Sequence, residues 1–391
     1  VRRRKRAFRP ITPSDQQEPI AMRALTIGSA MIDTIVLVAS RNIERMTMAN
    51  DEVSYLLLEQ GRKVEAESIT EHIGGGAVNA AVAMARLGVE TAVILKVGRD
   101  RKAEKVMARL AQEGIDASHV APTDRDETGA AVMIASHDRN ATIFTRRGAN
   151  TLLADADVAA THFEGCDLVY VTALSNESAD RFPDIVRRAS KAGAFVAANP
   201  GIRQLTARAE PFVETLGDLS LLAINRVEAE ALVPALSVRR ISHAQGVEPP
   251  ADLGEAAMPR LLREGLSFGG FDMELSSFCA AIQAFGCGRV VVSDGIHGAY
   301  LADEEGIRHV PVAKVDVRGT AGAGDAFTST CVAGLAAGHA PEEALRAAAL
   351  NAASVVSYVD TQGGLLTRDA LDQRCAKECD SLPVRLWRWR G

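Results

Sequence analysis

Short apolar runs alternate along most of the chain with longer stretches in which small and apolar residues recur at helical spacing. That is the rhythm of alternating strands and helices. ALTIG (residues 24–28) is an apolar run closed by glycine, as a strand buried on both faces would be, and LVYVT (168–172), AFVAANP (194–200), LLAIN (221–225) and RVVVSDG (289–295) repeat the pattern. Between them, Ala77 to Leu87 predicts a small-residue helix stopped by Gly88. Arg101 to Glu113 predicts an amphipathic helix, residues 177–192 another, and EEALRAAALNAASVVSYV a long one. Helices between mutually buried strands predict a three-layer α/β/α domain, doubly wound around a mostly parallel sheet.

Three segments break the rhythm. Around residues 35–73, VSYLLLEQ and the more polar VEAESITEH flank GRK, a turn. Two such strands cannot bury both faces in the main sheet, so they predict a small protruding β-sheet, a lid. TGAAVMIASHDRNATIFTRRGANTLL (128–153) predicts a β-hairpin with HDRN at its turn. Residues 237–276 mix Pro, Gly and charge without a sustained period and read as an inserted loop with one short helix.

Composition narrows the class. With 391 residues, 47% of them hydrophobic, the chain can bury a large core as one α/β domain with an excursion or as two domains. No run of 18 apolar residues exists to span a bilayer. Six scattered cysteines without CxxC or zinc-type spacing are expected to be reduced thiols of a cytoplasmic protein. Residues 1–22 carry six basic and two acidic groups, leaving the remainder at −10 within a net charge of −6. They are expected to form a disordered basic tail, and the acidic body argues against a nucleic-acid partner. The domain proper is expected at 23–372. A C-terminal tail at 373–391, where Trp387 and Trp389 alternate with arginines, is left unassigned between a frayed and a self-docked terminus.

The chemistry concentrates in Lys314 to Gly338, KVDVRGTAGAGDAFTSTCVAGLAAG. Gly319, Gly322 and Gly324 sit among small residues just before Asp325, which opens a helix-compatible run. Such a backbone can aim successive N–H groups at an anion, and a helix N-terminus adds partial positive charge. A carboxylate in that place would repel the anion, so Asp325 reads either as acceptor of a proton from an attacking hydroxyl or as an N-terminal helix cap. GSAMID (28–33) lacks GxGxxG after the first strand, which removes the support for a dinucleotide site.

GTAGAGDAF together with the upstream GGGAVNAAVAMARLG (Gly74 to Gly88) resembles the two signature regions of the PfkB, or ribokinase-like, family of ATP-dependent carbohydrate and nucleoside kinases. The similarity runs from about Leu25 to about Ala370. It implies a three-layer ribokinase-like fold with a lid that also supplies a dimer contact, and it implies ATP and Mg²⁺ as cofactors. Asp325 would be the catalytic base, with Gly322, Ala323 and Gly324 forming the anion hole. Asp33, Gly74, Gly75, Gly76 and Asn79 would bind the sugar. Gly76 stands where the ribokinase branch often has Lys, so sugar contacts there are expected to differ. Asn225 and Glu228, an NxxE at a strand end, would organise Mg²⁺ and phosphate, with Glu228 nearest the metal. Ser293, Gly295, Thr320 and Asn351 would line the nucleotide site.

Gly319 replaces the Asp that begins DTxGAGD and that several members use to bind K⁺, so weak or absent K⁺ activation is expected unless Asp316 reaches the same place. Arg146 and Arg147 read as solvated arginines or as a clamp for an acidic sugar. A nucleoside acceptor would need a stacking surface, for which 4% aromatic content offers only Tyr55 in the lid. A ligand-binding or regulatory protein that has lost catalysis is the reading from another class.

Overall fold

The computed structural model describes residues 22–39, 44–47, 54–57, 61, 63–135, 141–238, 246–251, 253 and 258–390. The basic segment 1–21, the HDRN turn and parts of the lid and insertion lie outside the described residues.

The first half of the main sheet comprises β1 (Arg23–Gly28), β6 (Glu90–Gly98), β7 (Asp116–Thr123), β10 (Leu168–Val171), β11 (Phe195–Ala198) and β12 (Leu221–Asn225), with β2 to β5, β8 and β9 set aside in smaller sheets. Together with β16 (Arg289–Ser293) these strands are parallel, in the order β16-β12-β11-β10-β1-β6-β7. Beyond β16 the sheet turns antiparallel through β17 (Ala299–Ala302), β18 (Gly306–Val310) and β19 (Arg385–Trp389) to β13 (Val247–Glu248).

Successive side chains of one strand enter different cores, which is why the strands read as continuous apolar runs. Leu222 and Ile224 pack with α3 (Phe182–Lys191), α6 (Arg226–Val238) and α8 (Leu275–Ala284). Leu221 and Ala223 pack with α9 (Ala323–Ala336) and α10 (Pro341–Val355). α1 (Gly76–Arg86) and α2 (Arg101–Gln112) cover the β6 end on the α9 side. The core is thus split by the sheet, as three layers require.

The lid differs from its sequence reading. VSYLLLEQ supplies β4 (Ser54–Leu57), which pairs with β3 (Glu44–Thr47) and not with VEAESITEH. The latter forms β5 (Ala66–Gly74) and pairs with β2 (Met31–Val38), which also takes β8 (Gly129–Ala135), itself paired with β9 (Ala141–Arg146). The predicted hairpin is therefore half of a four-stranded lid. Its parallel β2–β8 pairing joins segments about a hundred residues apart, which no local pattern reports.

The insertion holds more than one short helix. Besides α7 (Arg260–Glu264) it contains β13 and the hairpin of β14 (Leu266–Phe268) with β15 (Phe271–Met273), and α8 begins at its end. Residues 373–391, expected as a tail, finish α11 (Arg368–Glu378) and then enter the main sheet as β19. Trp387 is 1% exposed and Trp389 Nε1 donates to the Asp303 carbonyl at 2.8 Å. Aromatic–arginine alternation is the period-2 signature of a half-buried strand.

Candidate active site

The parallel strands end at one rim, where Gly28, Asn199, Asn225 and Ser293 fall at or just beyond strand ends, and Asn225 lies beside Ser293 in register. This is the rim at which doubly wound sheets collect ligands.

α9 starts there because Gly322 adopts φ 80 and serves as its N-cap, with no side-chain cap. A Cβ at Gly322 would come within 2.7 Å of the Thr361 backbone, whereas one at Gly324 would meet nothing within 4 Å. Ala323 and Gly324 open the helix, Gly324 facing space, and the first-turn amides have no acceptor within the helix. Asp325 does not cap α9. Its carboxylate accepts from Asn79 Nδ2 at 2.8 Å, joining the two glycine-rich motifs across 246 residues of sequence.

Asn79 is 4% exposed, and its side-chain amide is engaged at both ends. Its Oδ1 accepts from Thr361 Oγ1 at 3.1 Å and from Gln362 Nε2 at 2.9 Å, and Gln362 Nε2 also donates to the Ile73 carbonyl at 2.8 Å. Gln362 is held in turn by Arg109 Nε at 2.9 Å. Thr361 and Gln362 are braces that sequence reasoning missed; the adjacent Gly363-Gly364 marked the turn without showing what it touched. Burial pushes the Asp325 carboxyl up to about 6, Asn79's hydrogen bond opposing and Asp33's charge adding to the rise.

Asp33 lies in mid-β2, not in a turn, with His72 opposite it on β5 and Ala131 on β8. Burial raises its pKa against the pull of His72. A Cβ on Gly74 would collide with the Asp33 carboxylate, and Gly75, at φ 96, would strike the Ser29 carbonyl. The glycines bring backbone against Asp33, while Gly76 packs on Thr172 at the end of β10.

Asn225 and Glu228 grip each other: Asn225 N donates to Glu228 Oε2 at 3.0 Å and Glu228 N to Asn225 Oδ1 at 2.9 Å. That reciprocal pair is a capping box opening α6, a structural reason for NxxE that does not require a ligand. Burial nevertheless raises Glu228 to about 7, and Asp325's charge adds to it. Ser293 and Gly295 border the same rim, with no atom within 4 Å of where a Gly295 Cβ would stand. Thr320 is exposed and its carbonyl accepts from Ala323 N at 3.4 Å.

Asn351 stands apart. It is 0% exposed; its Nδ2 donates to Thr330 Oγ1 at 2.8 Å and its Oδ1 accepts from Leu366 N at 3.0 Å. It ties α10 to α9 and does not reach the cleft surface. At Gly319, the amide donates to the Val356 carbonyl at 3.2 Å, and Asp316 is exposed.

Asn150, in the GAN string, clamps the β1–β2 turn: Nδ2 donates to the carbonyls of Ala30 and Arg147 at 2.9 Å, and Oδ1 accepts from Ala30 N at 2.9 Å. No group of three or more His, Cys, Asp or Glu able to hold a metal ion occurs among the described residues. No helix among them is long and apolar enough to cross a membrane.

Residues 24–257 and 272–368 match the pfkB family carbohydrate kinases. The chain belongs to this family. It is accordingly a carbohydrate kinase, a phosphotransferase with an alcohol as acceptor. The gap in the match falls within the insertion. The 2-dehydro-3-deoxygluconokinase of Bacillus subtilis (strain 168) is 23% identical over 339 residues, covering 84% of this chain and 94% of that protein. The fold matches Arabidopsis thaliana ribokinase complexed with ribose and ATP (TM-score 0.66, 20% identity, 90% of this chain and 98% of that one). It equally matches a Burkholderia thailandensis nucleoside kinase in complex with inosine (TM-score 0.67, 16% identity, 92% and 100%).

Proposed function

We propose that the enzyme transfers the γ-phosphate of ATP to a hydroxyl of a monosaccharide, with Asp325 as the general base. The observation that carries this reading is the Asn79–Asp325 hydrogen bond. It holds a carboxyl raised to about 6 at the mouth of a helix N-terminus, next to a second carboxylate, Asp33. Near neutral pH Asp325 is ionised, yet basic enough to take a proton.

In the proposed reaction the acceptor is oriented by Asp33, Asn79 and the backbone of Gly74, Gly75 and Gly76. Its hydroxyl oxygen attacks the γ-phosphorus while its proton passes to Asp325, the bond to the β,γ-bridging oxygen breaks, and ADP leaves. The amides of Ala323 and Gly324, with Gly322 shaping the turn, stabilise charge on the transferring phosphoryl. Ser293, Gly295 and Thr320 border the nucleotide, and Asn351 supports that wall from behind.

Three carboxyls, with Asp33 acting on Asp325 and Asp325 on Glu228, would repel a triphosphate. A single carboxylate near the phosphates fits a Mg²⁺ that arrives on the nucleotide with its waters, Glu228 being the nearest protein group. When bound, the ion would neutralise phosphate charge. The lid closes over the sugar and, through its outer face, meets a second copy of the chain.

The test is Asp325→Asn, assayed with ATP and a panel of sugars and nucleosides. Turnover is expected to fall by about 10²- to 10⁴-fold, the worth of general-base catalysis, with ATP binding by calorimetry retained. Near-normal turnover would remove Asp325 from the chemistry, and wild-type turnover confined to nucleosides would replace the sugar by a nucleoside.

A further inference from the structure

A cavity of about 360 Å³ opens beside the proposed sugar site, lined among others by Asp126, Thr145, Arg146, Arg147, Asn176 and Arg203. Its cations are unequal. Arg146 donates to Asp126 at 2.6 Å, and arginines nearby are satisfied too: Arg181 pairs with Asp155 at 2.8 Å and Arg208 with Asp180 at 2.5 Å. Arg147 and Arg203 have no carboxylate partner among the described residues; both line the cavity, and burial, joined by the charge of Arg203, lowers the pKa of Arg147. Two like charges held together without a counter-ion are unfavourable unless something anionic comes between them.

The backbone that carries Arg147 is held in place. The Arg147 carbonyl is held by Asn150 Nδ2, and Gly148, at φ 54, abuts the Glu127 carbonyl. Asn176 is the one non-glycine residue with positive φ among the described residues, at 51°, and its carbonyl accepts from Arg208 Nη2 at 2.9 Å. Backbone held in that region is strained and gathers at ligand sites.

The register relates the cavity to Asp33. Asp33 pairs with Ala131, and Ala131 with Thr145, so Thr145 shares Asp33's row and face of the lid sheet two strands away. Two inter-strand spacings are about 10 Å, within the reach of one monosaccharide and its terminal substituent. The residue between them is the small, buried Ala131.

We propose that Arg147 and Arg203 form an anion subsite, and that the acceptor is a monosaccharide carrying a carboxylate or a phosphate ester at the end remote from the hydroxyl that reacts. Asp33 binds hydroxyls at one end of the sugar and the guanidinium pair binds the anionic group at the other, by charge-assisted hydrogen bonds. A neutral sugar leaves the two arginines uncompensated. The inference rests on the kinase reading and adds the substrate class to it.

The test compares phosphoryl transfer from ATP and calorimetric binding for gluconate and 2-dehydro-3-deoxygluconate, for ribose 5-phosphate and fructose 6-phosphate, and for ribose and fructose. The wild type, Arg147→Gln, Arg203→Gln, Arg203→Lys and, as a control of equal charge change, Arg99→Gln are used. An anionic set is expected to exceed the neutral set in kcat/KM by at least about tenfold, the worth of a single charge-assisted contact. Each Gln variant should lower that ratio about tenfold or more through KM, Arg203→Lys should recover part of it, and Arg99→Gln should leave it unchanged. Turnover of the acids alone assigns the subsite to a carboxylate, and turnover of the phosphates alone to a phosphate ester. Phosphorylation of neutral sugars with a ratio insensitive to both arginines would overturn the subsite and leave the kinase reading intact. Absence of turnover with every sugar would sink the sugar-kinase reading instead. The subsite would then stand or fall on whether the Gln variants lose calorimetric binding of an anionic sugar.

Discussion

Asp325 shows how one side chain's chemistry depends on another far away in sequence. Its ionised form is opposed by burial and by Asp33, and favoured by the hydrogen bond from Asn79. A base works only when deprotonated, so activity should be lost as pH falls through about 6. Removing the donor removes the stabilisation of the charged form, and the carboxyl becomes harder to ionise. In Asn79→Ala the acid limb of the kcat/KM profile is therefore expected to move to higher pH, in addition to any loss of sugar affinity. A profile shifted to lower pH, or not at all, would show that Asn79 does not set the ionisation of Asp325.

At the scale of elements, β5 and β2 approach so closely at Gly74 that only hydrogen fits against the Asp33 carboxylate. Asp33→Ala should weaken sugar binding at least about tenfold while leaving nucleotide affinity alone, since charge-assisted hydrogen bonds contribute about 1.5–3 kcal/mol each. Gly74→Ala should do the same by displacing the carboxylate. Calorimetry of both ligands on both variants checks this, and loss of ATP binding with sugar binding retained would reverse the assignment.

The opposite face of the lid carries Ile69, Val132 and Phe144, which are 66%, 40% and 57% exposed, Val132 and Phe144 in the row next to Asp33's and Ile69 in the row paired with Val36. Apolar side chains gathered on one sheet face favour burial against a partner. The wild type is expected to dimerise with rising concentration in sedimentation, and Phe144→Glu to remain monomeric. A wild type that stays monomeric over the whole range would exclude the lid as a dimer contact.

For the molecule as a whole, the C-terminal strand decides integrity. Trp387 is 1% exposed and packs in the core on the α6–α8 side of the sheet, and His309 lies edge-on to it at a ring-centroid distance of 6.2 Å. Trp387→Ala should destabilise the fold by about 3–5 kcal/mol, as removal of a large buried aromatic does. A denaturant midpoint within error of wild type would return β19 to the status of a tail.

The sequence by itself determined the three-layer architecture, because strands buried on both faces must be continuously apolar and the helices between them must be periodic. It also determined the two glycine-rich motifs, because tight backbone approach restricts residue type so strongly. Asn79 and Asp325 could be singled out from those motifs, and Asp33 from its place just after the first strand in the resembled family. Pairing across long sequence separations was left to the tertiary structure, since hydrogen bonds between backbones carry no residue code. Hence β8 and β9 joined the lid, VSYLLLEQ found β3 instead of β5, and the final strand, in a segment left unassigned, took its place in the main sheet between β18 and β13. Burial, too, is a property of the folded molecule. Only the fold showed Asn351 sealed between helices and Asn225–Glu228 closing a capping box, and only the fold brought Arg147 and Arg203 to one cavity with no carboxylate partner among the described residues. Residues 56 positions apart in the chain show no mutual repulsion until the lid and α4 (Ile202–Ala207) are set side by side.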